Sequence, residues 1–101
     1  MIIYNVTLKV EWSIVDTWLQ WFKREHIPEV LDTKCFVKYQ FVKLMDVDEV
    51  DGPTYAIQFY AHSLNEYNEY IANHSLRLRA KTQALWKEKL ISIRTLMEIV
   101  N

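Results

Sequence analysis

The sequence holds one glycine, one cysteine and two prolines in 101 residues. A lone cysteine, Cys35, excludes an intrachain disulfide and suits a reducing compartment. So little glycine and proline excludes collagen-like, low-complexity and linker-rich chains, and no repeat recurs at solenoid periods. Charge of either sign is also missing in excess. Twelve basic and thirteen acidic residues leave a net charge of −1, which provides no field for phosphate backbones or anionic lipid, so neither nucleic acid nor a membrane is expected as a partner. No run of roughly eighteen uncharged apolar residues occurs. The opening MIIYNVTLKV has neither a basic leader nor a small-residue cleavage site, so a cytoplasmic location is expected. What is abundant is apolar surface. Half the residues are hydrophobic and the aromatics comprise four Trp, six Tyr and four Phe, enough for one domain over residues 1–101 with a single core.

Hydrophobic periodicity orders the chain. Residues 2–11 alternate, with Ile2, Tyr4, Val6, Leu8 and Val10 on one face and Ile3, Asn5, Thr7, Lys9 and Glu11 on the other, the period of a half-buried strand. Ser13 with Asp16 three residues later reads as a capped helix start. Val15, Trp18, Leu19, Phe22, His26 and Val30 then share one helical face, giving a helix over 13–32 that Pro28 bends or restarts. FVKYQFVKLMD, 36–46, reads as a second strand and DVDEVDGP as a hairpin loop. The third strand, TYAIQFYAH, places Tyr55, Ile57, Phe59 and Ala61 on one face. Ser63 and Glu66 form a capping box, after which Leu64, Tyr67, Ile71, His74, Leu78 and Leu85 mark one helix over 64–88. LISIRTLMEIV closes the chain as a fourth strand.

The order β-α-β-β-α-β is the split βαβ plan, an α+β, ferredoxin-like fold with a four-stranded antiparallel sheet and two helices on one face. The more apolar strand faces, Ile2 to Val10 and Ile91 to Ile99, are expected under the helices. The other sheet face is then expected to show Asn5, Thr7, Lys9, Gln58, Tyr60, Ser92, Arg94 and Leu96. Such a mixed face is suited to pairing across a two-fold axis, so a homodimer through the helix-free sheet face is expected.

The segment WLQWFKREHIPEVLDTKCF, with its aromatic stripe and His-x-Pro, and the ending ISIRTLMEIV resemble the dimeric α/β-barrel superfamily of ferredoxin-like proteins. More narrowly, MIIYNVTLKVE, HIPEVL and IRTLMEIV resemble a small bacterial family of unknown function. The wider resemblance implies a dimer and a ligand space between sheet and helices, in a superfamily that includes cofactor-free monooxygenases, isomerases and haem-degrading enzymes. Haem-degrading members use a helix-two histidine and a first-strand asparagine, which His74 and Asn5 resemble in position. They also place a Trp where this chain, between Thr54 and Ser75, has none, and alternation turns Asn5 away from the helices.

His26 and His74 are the candidate acid–base groups. For His26 the first expectation is structural, a helix-end imidazole bonded to the carbonyl that Pro28 frees. Tyr4, Trp18, Phe22, His26, Tyr67 and His74 are the candidate lining of a site for a small hydrophobic ligand, with Trp21 and Trp86 near its edges. The residues call for no cofactor and no metal. The acidic loop resembles a calcium loop, but its carboxylates miss the required spacing. Cys35 is expected to be structural, and Arg77, Arg79, Lys81, Lys87 and Lys89 to be solvated helix surface. Two functions follow as expectations: a non-catalytic small-molecule-binding or structural dimer, and a cofactor-free oxygenase or isomerase.

Overall fold

The computed structural model describes residues 1–101. Strand β1 (Ile2–Val10) leads through a short 3-10 turn to helix α1 (Val15–Trp21), a π-helical turn (Phe22–His26) and helix α2 (Ile27–Asp32). Strands β2 (Lys38–Lys43) and β3 (Thr54–Ala61) follow, then α3 (Leu64–Asn73), α4 (Ser75–Trp86) and β4 (Leu90–Glu98). All strand pairs are antiparallel in the order β2-β3-β1-β4. This is the ferredoxin-like plan expected from the sequence, one sheet with both helical segments on one face.

Each helical segment is interrupted for a local reason. Pro28 has no N–H to give its own turn, and the Ile27 N–H reaches back to the Phe22 carbonyl, closing the wider turn. The extra residue rotates the face, so that Trp21 and Ile27 are buried alongside Trp18, Phe22 and Val30. In the second segment the Ser75 hydroxyl donates to the Ile71 carbonyl at 3.1 Å, a back-bond that bends helices. His74 stands at the break with φ −130°. One continuous helix over 64–88 is therefore corrected to two, and the phase change leaves Leu64 and Leu85 half exposed while Tyr70 and Leu78 are buried. The Ser63 cap forms as expected, accepting from the Asn65 N–H and donating to the Glu66 carboxylate. Ser13 does not cap; it donates to Glu11, because the turn already begins at Trp12, whose backbone N–H donates to the Asp51 carbonyl and whose indole donates to that of Glu49.

Strand pairing decides which side chains share a face, since directly opposed residues point the same way. Tyr4, Val6 and Leu8 oppose Phe59, Ile57 and Tyr55 on β3, and all lie on the helix side with the core. On β4, Val6 opposes Arg94, Leu8 opposes Ser92 and Val10 opposes Leu90. The expected facing of β4 is thus reversed. Ser92, Arg94 and Leu96 face the helices, while Ile91, 60% exposed, and Ile93, 65% exposed, lie on the helix-free face. That face is accordingly more apolar than the sequence pattern suggested. Asn5 does lie on it, bonded to the Thr7 hydroxyl at 3.1 Å.

The loop after β2 is tied to the end of β1, with the Val10 N–H donating to the Pro53 carbonyl at 3.0 Å. Gly52 makes this approach with φ +156°; a Cβ there would stand 1.7 Å from the Val10 carbonyl oxygen. Gly52→Ala is therefore expected to destabilise the fold by roughly 3 kcal/mol, read as a lower urea midpoint. A change under about 0.5 kcal/mol would show that the loop leaves β1 at little cost.

Candidate functional site

A cavity of about 50 Å³ lies between the sheet and the helices. Tyr4, Val6 and Leu8 of β1 and Ile57 and Phe59 of β3 form its floor; Phe22, His26, Tyr70 and Leu78 wall it from the helices. Space of that size holds a few waters or part of a small ligand. Its polar groups gather toward β4 and α4, where Arg79, Thr82, Ser92 and Arg94 line it. Those four residues and Leu90 also line an adjoining groove of about 340 Å³, completed by Leu76, Ala80, Gln83 and Lys87. The inner space therefore continues into an outer one past the two arginines.

The Tyr4 hydroxyl is the meeting point of that end. It accepts from Arg94 Nε at 3.1 Å and from Arg79 Nη2 at 3.3 Å. Arg94 also donates to the Ser92 hydroxyl at 3.3 Å. The ion pairs of the protein, Lys9–Asp51, Lys34–Asp32, Lys43–Glu49 and Lys81–Glu29, involve neither arginine. Both guanidinium groups thus keep most of their donors free beside an apolar cavity.

Of the expected site residues, Tyr4, Phe22 and His26 come together at the cavity. Trp18 is fully buried elsewhere, packed on Phe22, Phe41 and Tyr55. Tyr67 packs against the ring of Tyr4 but does not line the space. His74 lies in a separate polar groove with Glu29, Asp32, Thr33 and Arg77. It is on the helix side of the sheet and Asn5 is on the other face, so the pair that a haem ligand would need is not assembled. No three His, Cys, Asp or Glu side chains converge as metal ligands.

His26 departs from its structural expectation. Its imidazole has no hydrogen bond to the carbonyl near Pro28; it stacks on Phe22 at 5.0 Å and lies 5.1 Å from the Trp21 ring. The π-helical turn places these three rings together. Burial pushes the His26 pKa down to about 4; Glu29 opposes that shift, whereas Lys81 and Arg94 add to it. The imidazole is therefore neutral at pH 7, with one nitrogen able to donate and the other to accept. Tyr70, whose hydroxyl pKa burial raises, stays a neutral phenol. The indole N–H groups of Trp18, Trp21 and Trp86 are buried without a partner.

Arg79 and Arg94 are the functional candidates that sequence reasoning missed. Arg79 is exposed helix surface, as expected, but it also donates to Tyr4 and lines the cavity; Arg94, expected on the helix-free face, is turned inward by its pairing with Val6.

Comparison with known proteins places this geometry in a wider group. The model of a family described as Domain of unknown function (DUF4286) matches residues 1–100. No curated protein sequence matches the chain. Among solved structures, one from Deinococcus radiodurans, named as a candidate antibiotic biosynthesis monooxygenase, aligns with TM-score 0.69 at 13% identity, covering 100% of this chain and 94% of that one. A dimeric ferredoxin-like protein from an uncultured marine organism gives 0.66 at 7% identity over 99% and 95% of the chains. An antibiotic biosynthesis monooxygenase gives 0.63 at 17% identity over 100% of both. At such identities the likeness establishes the fold and transfers no chemistry.

The depressed His26 pKa carries a stability consequence. The unfolded chain takes up the proton near pH 6.5 and the folded chain only near pH 4, so the unfolded state binds more protons between these values. The stability contribution is present above pH 6.5 and is lost as pH falls toward 4, by about 3 kcal/mol at most. His26→Phe, which retains a flat ring for stacking, is expected to flatten that part of the stability–pH profile in denaturant titrations. An unchanged slope would assign the acid sensitivity to other groups.

Proposed function

We propose that this chain, which belongs to the DUF4286 family, is one cytoplasmic domain that forms a homodimer through its helix-free sheet face and binds a small hydrophobic molecule between helices and sheet. The observation that carries the binding reading is the cavity itself: an apolar floor, an aromatic wall and a polar end open to a surface groove. Concave apolar space with a few convergent polar groups is the usual form of a small-molecule site. Tyr4, Phe22 and His26 are its ligand-facing members in this reading. The dimer reading is supported by the exposed Ile91 and Ile93, which with Val42 and Met97 share the uncovered face. A dimeric ferredoxin-like neighbour supports it further.

A cofactor-free enzyme is the second reading. Neutral, unpartnered His26 on the cavity wall favours it, because such an imidazole can donate one hydrogen bond to a bound substrate and accept another from it. Water exclusion by Phe22, Tyr70 and Leu78 would protect a reactive intermediate. His74 has no part in this reading, since it does not reach the cavity.

The binding reading is tested by amide and methyl NMR during titration with a panel of small aliphatic and aromatic compounds. Shift changes should cluster at Val6, Leu8, Ile57 and Leu78 and disappear in Ser92→Phe, which blocks the passage. Changes scattered over the surface would overturn it. For the dimer, sedimentation should give a species of twice the 12.2 kDa chain mass. Ile93→Asp is expected to yield a folded monomer with unchanged helical circular dichroism, and a wild-type chain that sediments only as monomer at micromolar concentration would refute the interface.

A further inference from the structure

The geometry points to a ligand of one chemical class, a small apolar molecule that carries an oxyanion head, carboxylate or phosphate, held between Arg79 and Arg94 with its apolar part directed into the cavity. This rests on the cavity-binding reading above and adds the chemistry of the head group.

The strand register turns Arg94, which is exposed on the edge strand β4, toward the helices, opposite Val6. Arg79 comes from α4, across the groove. Their N–H donors converge on a single neutral atom, the Tyr4 hydroxyl oxygen, at 3.1 and 3.3 Å. A phenol oxygen can accept both bonds but neutralises neither charge. Two cations brought this close repel one another, and no carboxylate of the protein stands within ion-pair distance of either.

No Asp or Glu lines the cavity or the adjoining groove, while Lys87 adds a third positive group to the groove. An oxyanion seated between the guanidinium groups would supply the missing counter-charge and use their free donors. Planar guanidinium groups match carboxylate and phosphate oxygens through paired N–H bonds. The lining of the inner cavity that is not shared with the groove includes Val6, Leu8, Ile57 and Leu78, which favour hydrocarbon over a second charge. Thr82 and Ser92 stand at the boundary and can bond to a head group. Recognition is therefore split between a charged mouth and an apolar interior.

Isothermal titration of the wild-type chain with hexanoate, hexyl phosphate and hexan-1-ol, at one pH and one salt concentration, tests the assignment. At least one anion is expected to bind about tenfold or more tightly than the alcohol, and the better anion identifies the head group. Arg94→Gln should bring anion and alcohol to nearly equal affinity, while Arg94→Lys keeps part of the preference. If Arg94→Gln does not fold, Arg79→Gln on the helix serves the same comparison. Hexan-1-ol binding as tightly as both anions would overturn the oxyanion assignment and leave the cavity reading standing. A preference that survives in the folded glutamine variant would overturn the role of the arginine pair. Absence of binding by all three at millimolar concentration would overturn both readings.

Discussion

The register of β4 against β1 is the constraint on which the rest of this structure depends. With Val6 opposite Arg94 and Leu8 opposite Ser92, the last strand presents its polar residues to the helices and its isoleucines to the uncovered face. A slip of one residue would exchange the two sets. Arg94 would then leave the cavity and Ile93 would enter it. The register is held at both ends, where the Glu11 N–H donates to the Lys89 carbonyl and the Ile99 N–H to that of Met1, each at 3.0 Å. Upstream, α4 stops at Lys87, whose φ is +52°, and Trp86 packs edge-on against Trp21 at 5.6 Å. That contact fixes where the chain leaves the helix, and the short turn that follows delivers Leu90 to the helix side opposite Val10.

Much of the fold was legible because each element carries its own periodic signal. The strand alternations, the Ser63–Glu66 cap and the stripe through Trp18 and Phe22 lead to the observed order of elements. The errors share one cause, which is that a one-dimensional pattern does not say what covers a face. On β4 the rule that apolar residues lie under helices assumes one buried side, whereas this sheet carries apolar residues on both. The restart at Pro28 is legible in the sequence, whereas the break in the second helical segment is not. Periodicity over 64–88 tolerates a change of phase, and the Ser75 back-bond that causes it depends on a hydroxyl whose direction the sequence does not give.

The site was legible only on its helix-one and β1 sides. Tyr4, Phe22 and His26 could be found because an apolar stripe with a histidine in it is a local pattern. Arg79 and Arg94 lie fifteen residues apart on different elements and meet only through Tyr4, a contact across most of the chain length. A long cation on a strand is ordinarily read as a solvated residue, since its charge is costly to bury. Here the Tyr4 hydroxyl and the open groove keep both guanidinium groups hydrated or bonded, so inward facing does not require full desolvation.

The same arrangement explains why His26 stays neutral without an unpaired charge to compensate. Phe22 stacks on one face of the half-buried ring and Trp21 lies beside it, which removes much of the water that an imidazolium would need. Arg94 and Lys81 then oppose protonation further, and Glu29 offsets only part of this, because its carboxylate is engaged by Lys81 at 2.7 Å. The positive charge of the cavity is thus concentrated on the arginines at its mouth, while its wall carries a neutral imidazole. That separation depends on elements far apart in sequence, the helical turn that carries Phe22 and His26 and the β4 register that turns Arg94 inward. Arg94 would not face the cavity on a strand shifted by one residue, so the chemistry of the site is set by backbone geometry as much as by the residues that line it.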